Sequence, residues 1–476
     1  MQNDNGIGLN KDYIAIFIIP MIFTLFVEVA KISNLITDTI CLVLYFLILV
    51  YLYRKKTYLL IEYGTFLIGS TWAIIAVFLL ENLTVVVAND SSYRYGSFAI
   101  YVFCWILYYF VIMICEDKYK KKIILQVSES VREKRNNTIC WILLLATMVE
   151  LFAFLSIINK PYFLFSTDRA SYARDVMPSW LNGHVGFFSL FLPCAVMVLK
   201  QRKGISILYI GLYFLLNIWV GEKFTGLFLG IYFVGMSFIM LYKNSISRFL
   251  TKKVMRILCI IILLCIALVY VQMTVIGGRS FVFYFVERIS AQGYLWWLTY
   301  AKDSMHGIHL NEIGDELVPF YTSLSGNMNE YNFGIYKLMH LFQDPERVQR
   351  MLTEGYRATE STRATFYYYL KIPGLVLGQI LLAIVTYRII KNISKQICSY
   401  NFIKVFFLCY ILRNFIAIQS MSDFYLLVKP EMCLSYFMLL IGNSFSLNLR
   451  TKFPKLRFRV KYKLFLTKTI PFKNVL

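Results

Sequence analysis

Charge is scarce in this chain. Asp, Glu, Lys and Arg make up 16% of its 476 residues, against about a quarter in ordinary soluble domains. Histidine is scarcer, at four. No His-Glu-x-x-His occurs, and no Asp-x-Asp lies on the face assigned below to the outside, so a bound divalent metal has no recognisable cradle. His306 and His309 beside Asp303 are too small a set for zinc. The phosphate loop Gly-x4-Gly-Lys-Ser/Thr is missing, which excludes ATP-driven transport by this chain alone. The ten cysteines fall in apolar runs or in loops assigned to the cytoplasm, and none lies in 277–365. Neither disulfides nor a Cys/His metal site is expected.

What the chain has instead is hydrocarbon. Hydrophobic residues make up 58% and aromatics 17%, and the mean hydropathy is +0.60. The apolar residues gather into runs of about 20, the length that crosses a bilayer core. Spans are expected near 13–30, 35–53, 59–80, 97–115, 139–158, 183–199, 204–220, 224–242, 257–276, 366–387, 402–418 and 431–449. The first run, "YIAIFIIPMIFTLFVEVA", lacks a small-residue cleavage site after it and reads as a span, not a signal peptide. The fold class is therefore an all-α polytopic membrane protein of about twelve transmembrane helices, forming one domain over 1–476.

The net charge of +22 invites a nucleic-acid reading, and its distribution argues against one. With both termini cytoplasmic, "RKK" at 54, "KYKKK" at 118, "QRK" at 201 and the basic tail 450–476 lie on one side. The short loops of the other side hold only Lys31, Arg94, Lys160, Arg169, Arg174, Lys223 and Lys429. That asymmetry is the positive-inside pattern and sets the orientation. The excess charge is topological, and the tail "KLRFRVKYKLFL" is read as a topology anchor.

One loop stands apart, the extracytoplasmic segment 277–365 between spans nine and ten. Its early part, "SFVFYFVERISAQGYLWWLTY", is aromatic, but Glu287 and Arg288 would cost roughly 2.5–3.5 kcal/mol each inside a span. A helix lying in the interface is expected, with Trp296 and Trp297 at headgroup level. The loop's charges are sorted. Arg279 and Arg288 lie at its start and Arg357 and Arg363 at its end, all next to the membrane. Asp303, Glu312, Asp315, Glu316 and Glu330 stand between Lys302 and Lys337 with no Lys or Arg among them. Guanidinium forks match phosphate oxygens, and acids further out accept a proton from a sugar hydroxyl. The pattern suits a ligand with phosphate at the outer headgroup plane and a polar body above it. The plainer alternative is a surface salt-bridge ladder Arg357–Glu360–Arg363 on one helix face. Arg169 and Arg174 in the loop 159–180, and Lys223 in the turn "GEKFTG", are further outer-face candidates. Glu150 and Arg413 are intramembrane charges and hence functional candidates, with their mutual pairing as the alternative.

This architecture resembles the Wzy-type O-antigen (oligosaccharide repeat-unit) polymerases. The likeness rests on some twelve spans, cytoplasmic termini, a moderate outer loop between spans five and six, and a large arginine-bearing loop in the C-terminal half. Some members carry Arg-x10-Gly in two outer loops, and Arg363 and Gly374 in "RATFYYYLKIPG" match that spacing. In the first loop Arg169 is followed by Gly183, three residues beyond it. The resemblance implies a GT-C-like, metal-independent glycosyltransferase without cofactors, in a bacterial cytoplasmic (inner) membrane. Its partners would be undecaprenyl-diphosphate-linked oligosaccharides, membrane lipids and a chain-length regulator, and not nucleic acid. On that reading Arg279, Arg288, Arg357 and Arg363 bind the diphosphate, and Glu316, Asp315 or Glu360 is the base. Arg169, Arg174, Lys223 and Arg413 touch substrate. A lipid-linked oligosaccharide flippase or another transporter, and an O-antigen ligase, are the competing functions.

Overall fold

The structure is a computed structural model. It describes residues 14–120 except 84, 85, 88 and 89; 133–242 except 159–160, 163–171, 173–175, 177–185, 200 and 222–224; 280–317; 332–349 except 347; residue 359; and 361–448. The described parts of the spans expected at 13–30, 35–53, 59–80, 97–115, 139–158, 183–199, 204–220, 224–242, 366–387, 402–418 and 431–449 fall on helices. The expected ninth span, 257–276, lies outside the described residues.

The N-terminal half runs as a π-helical turn Ile14–Ile18, α1 (Ile19–Val29), α2 (Leu35–Glu62), α3 (Gly64–Asn82), α4 (Phe98–Lys120), α5 (Glu133–Ile157), α6 (Leu192–Val198), α7 (Lys203–Trp219) and α8 (Thr225–Tyr242). The C-terminal half holds α9 (Phe281–Ser290), α10 (Tyr294–Asp303), a 3-10 helix Leu310–Leu317, α11 (Gly334–Phe342), α12 (Ser361–Cys398), α13 (Phe402–Met421) and α14 (Pro430–Asn448). The strand content among the described residues is one antiparallel pair, Val86–Val87 with Asp90–Ser91.

Among the described residues, five helices are long and apolar enough to cross a membrane, beginning at Leu35, Gly64, Phe98, Thr362 and Phe402, and six shorter apolar helices accompany them. The chain is a membrane-embedded helical protein. Side-chain distribution agrees with a lipid solvent: α1 turns Ile19, Ile22, Phe26 and Val29 outward while burying Val27. In α2, Cys41, Tyr45, Ile48 and Leu52 face inward at helical spacing, and Val43, Leu47 and Val50 face out. In α4 every residue from Phe98 to Tyr109 is buried. A helix that is apolar all round belongs at the centre of a bundle, and α1, α2, α3 and α12 pack around α4.

Local signals set the helix ends. The Asn34 side chain accepts from the backbone N–H of Ile36 and Thr37, and Thr37 answers the Asn34 N–H, a capping box that starts α2. Ser422 stops α13 in a left-handed conformation. Helix ends then sort into two groups. At one end Lys31 reaches Tyr300, the Trp297 indole donates to the Tyr93 carbonyl, and Thr362 donates to the Ile418 carbonyl. At the other, Lys56 meets Asp117, Tyr232 donates to the Glu62 carbonyl, and Lys391 lies 3.0 Å from Glu62 and 2.8 Å from Glu116. The first end is the one that the charge asymmetry assigns to the outside.

Two expectations change. Trp296 and Trp297 are buried, not exposed in an interface. Trp296 packs on Tyr101, Tyr300 and Tyr367, so α10 is part of the protein core. Its forerunner α9 sets Phe285 against Trp72, near the middle of α3. The span expected at 366–387 is also drawn differently. Lys371 interrupts α12 at φ 54, ψ −143, and the chain doubles back there. A Cβ on Gly374 would lie 2.5 Å from the Phe366 carbonyl oxygen, and one on Gly378 would strike the Phe366 ring. In a straight helix residues eight apart are about 12 Å apart. The arm 361–370 is therefore folded against the start of the arm 372–398. The second arm alone, at 1.5 Å per residue, spans about 40 Å and suffices to cross.

Candidate functional site

The reversal brings two polar layers onto one short arm. Deeper in the bundle lies Arg363, fully buried. Its guanidinium covers the Trp105 ring at 3.4 Å from the centroid, and Nη2 is 3.5 Å from Gln379 Oε1. Trp105 is two turns into α4 from Phe98, roughly 10 Å below its outer end. Indole is the best ring partner for a cation, and such a pair contributes about 2 kcal/mol or more when desolvated. Beneath it runs a chain of buried hydrogen bonds: Tyr108 OH donates to Thr386 Oγ1 (2.8 Å), Gln419 Nε2 donates to the same oxygen (2.9 Å), and Tyr109 and Tyr45 both meet Ser70.

The outer layer is built on Tyr367, Tyr368, Tyr369 and Lys371. Tyr369 OH donates to Glu316 Oε1 at 2.7 Å, and Tyr368 OH to Glu312 Oε2 at 2.6 Å. Gly334 N–H also donates to Glu316 Oε1 (2.7 Å), which requires its backbone at φ +51, beside the Ser422 carbonyl. Lys337, buried on α11, lies 2.7 Å from Glu312 and 2.6 Å from Asp315, with its ammonium over the rings of Tyr368 and Tyr369. Lys371 pairs with Asp303, and its Nζ also donates to the Asp303 carbonyl. His309 stacks flat on Tyr368, with centroids 4.3 Å apart, and its Nε2 is 3.0 Å from Asp303 Oδ1. Asp303, Glu312, Asp315 and Glu316 thus face two ammonium groups and one imidazole, so the layer carries excess negative charge.

The carboxylates are not equivalent. Lys337 and the Tyr368 hydroxyl hold Glu312 down to about 2, so it stays ionised as the counter-ion of Lys337. Burial pushes Glu316 above the usual range, against the opposing pull of the Gly334 N–H, the Tyr369 hydroxyl and Lys337. A carboxylate raised toward neutrality is the better proton acceptor at working pH. Asp315 and Glu312 pair with Lys337, while Glu316 is held by the Gly334 N–H and the Tyr369 hydroxyl.

Of the expected site residues, Glu316 and Asp315 lie together in the outer layer, and the reversed arm links that layer through Tyr369 to Arg363 in the deeper one. Arg363 is an interior residue on Trp105, not a rung of an exposed ladder. Arg288 is exposed near the end of α9, on the helix that packs against α3, and no contact joins it to Arg363 among the described residues. Arg413, midway along α13, lays its guanidinium against Gly186, where a Cβ would be 2.1 Å from Nη2. Arg279, Arg357, Glu360, Arg169, Arg174 and Lys223 lie outside the described residues. Sequence reasoning passed over Lys337, Lys371, His309 and the tyrosine triplet as site members. The available signal was "YYYLK", three hydroxyls and an amine in one short stretch. Among the described residues no group of three or more His, Cys, Asp or Glu is arranged to hold a metal.

No curated protein and no solved structure matches the chain. A family of unknown function (DUF6418) matches residues 328–436, the stretch that carries Lys337, Arg363, the tyrosine triplet and the Lys371 reversal.

Proposed function

We propose that this protein is an integral-membrane glycosyltransferase that joins undecaprenyl-diphosphate-linked oligosaccharide repeat units into a surface polysaccharide at the outer face of the bacterial cytoplasmic membrane. One observation carries the reading: the arm 361–370 ties a guanidinium buried about 10 Å below the helix ends to a layer of carboxylates at the helix ends. That is the vertical order of a lipid-linked sugar, with the diphosphate low and the hydroxyls above. A hydroxyl of the incoming unit attacks the anomeric carbon of the growing glycan, whose bond to the diphosphate oxygen breaks. Glu316 takes the hydroxyl proton, and the diphosphate leaves on its lipid carrying the electron pair. Arg363 meets that negative charge, which is strongly stabilised in a site of low dielectric. Arg363 is fully buried on Trp105, so engaging the diphosphate requires it to move off the indole.

A flippase for the same lipid-linked oligosaccharide is the second reading, favoured by the buried polar chain Tyr108–Thr386–Gln419 within the spans. The surface glycan of a deletion strain separates them. Single-repeat material on the lipid core is expected. Unsubstituted core would point to a flippase or to the related ligase and overturn the polymerase.

A further inference from the structure

Apart from the Glu316 layer, the outer end holds a cavity of about 220 Å3 lined by Val27, Glu28, Lys31, Ser33, Arg94, Tyr95 and Gly96. Its walls are built deliberately. Lys31 stands in left-handed backbone at φ 52, and Gly96 at φ 83 faces Ser33 so closely that a Cβ would lie 3.3 Å from it. Non-glycine residues hold such a conformation only when their surroundings enforce it. Glu28 is 3% exposed. Its Oε1 accepts from Tyr300 OH (2.8 Å) and from Lys31, while Oε2 is buried with no hydrogen-bond partner among the described residues. A buried carboxylate oxygen left unmatched costs free energy until a donor reaches it.

The charges around the cavity define the donor. Lys31 and Arg94 repel a metal ion. Glu28, Asp38 (3.8 Å from Arg94) and Glu81, which takes the N–H groups of Tyr95, Gly96 and Ser97, repel an anion. A neutral polyhydroxyl group satisfies both sets, donating to Glu28 Oε2 and accepting from Lys31 and Arg94. The half-exposed Tyr95 ring at the rim offers an apolar face to the C–H side of a pyranose. The volume falls below the 300–1,000 Å3 of drug-sized pockets and suits one sugar ring.

We propose that the cavity between the start of α2 and the start of α4 is a monosaccharide subsite in which Glu28 Oε2 accepts a sugar hydroxyl. It deepens, and rests on, the reading of the protein as handling lipid-linked glycans. Tyr300 connects it to the Glu316 layer, because its phenol holds Glu28 and Lys31 while its ring stacks on Tyr367 at 5.3 Å. Lys371 Nζ lies 5.1 Å over that same Tyr367.

The test is ligand-observed saturation-transfer NMR on the full chain in nanodiscs. The probes are methyl glycosides of glucose, galactose, N-acetylglucosamine and rhamnose. At least one glycoside should bind the unaltered protein, with signal falling about fivefold or more in Glu28→Gln, a change that keeps an Oε1 acceptor for Tyr300 and turns Oε2 into a donor. Tyr95→Ala, at a half-exposed ring that also packs on Trp297 with centroids 5.2 Å apart, should weaken the same glycoside in protein that still unfolds cooperatively, and it carries the test if Glu28→Gln does not fold. No response to any glycoside, or a response that neither variant changes, overturns the subsite. So does stabilisation by sodium or calcium ions alone that Glu28→Gln abolishes. Binding is read without turnover, so a failed polymerase reading would leave a positive result here standing.

Discussion

Glu316 and Arg363 sit at opposite ends of one arm and make different demands on mutation. Glu316→Gln keeps an acceptor for Gly334 N–H and Tyr369 OH but cannot take a proton. Polymer formation should fall by about 10²–10⁴-fold, the span ascribed to a lost general base, with unfolding temperature unchanged. The raised pKa gives a sign to the pH profile. Activity should rise as pH climbs through the Glu316 value, above that of an ordinary carboxylate. Tyr369→Phe removes a donor that favours the ionised form, so the acidic limb should move to higher pH. Movement to lower pH, or none, would remove Glu316 from the base role. For Arg363 both the charge and the planar fork matter. Arg363→Lys should keep partial activity, and Arg363→Ala should lose on the order of a hundredfold, about 2.7 kcal/mol. Equal, mild losses in both variants at matched folded protein would reduce Arg363 to a packing residue on Trp105.

Among elements, the folded-back α12 explains why position 374 is a glycine. The arm can lie on its continuation only where no side chain intervenes, and the Phe366 carbonyl oxygen occupies the place of a Gly374 Cβ. Gly374→Ala must therefore push backbone apart and should destabilise the protein. Gly211→Ala on α7, with nothing within 4 Å of its Cβ, should stabilise it by about 0.5–1 kcal/mol, the helix preference of Ala over Gly. Thermal unfolding in one detergent compares the two, and equal shifts would mean that the arm does not pack there. The contrast shows what the sequence carries. Apolar runs of bilayer length locate helices because lipid imposes length and hydrophobicity on each alone. A reversal at Lys371 leaves hydropathy unbroken through "YYYLKIPGLVLG", so 366–387 reads as one straight span. Lys337 was equally hidden, because its partners Glu312 and Asp315 are remote in sequence and only the fold brings them within 2.7 and 2.6 Å. The acids themselves were legible as a block without neighbouring bases, and burial then separated Glu316 from Asp315.

At the scale of the whole molecule, the two groups of helix ends should face opposite compartments. In a cysteine-free background, Met305→Cys, at a position 95% exposed beside the acidic layer, should react with an impermeant maleimide in intact spheroplasts. Ser399→Cys, exposed at the other end, should react only after permeabilisation. Labelling of both from one side would overturn the orientation and the proposed chemistry with it. The central position of α4 has a consequence for how the chain is made. Synthesis runs from the N-terminus at 5–20 residues per second, so α12 follows α4 by roughly 240 residues and on the order of tens of seconds. Through that interval the faces of Trp105 and Tyr108 that later receive Arg363 and Thr386 have only lipid, or a helper protein, to lean on. A nascent chain halted before Ser361 should therefore be recognised by membrane chaperones and proteases, whereas one halted after Cys398 should escape them.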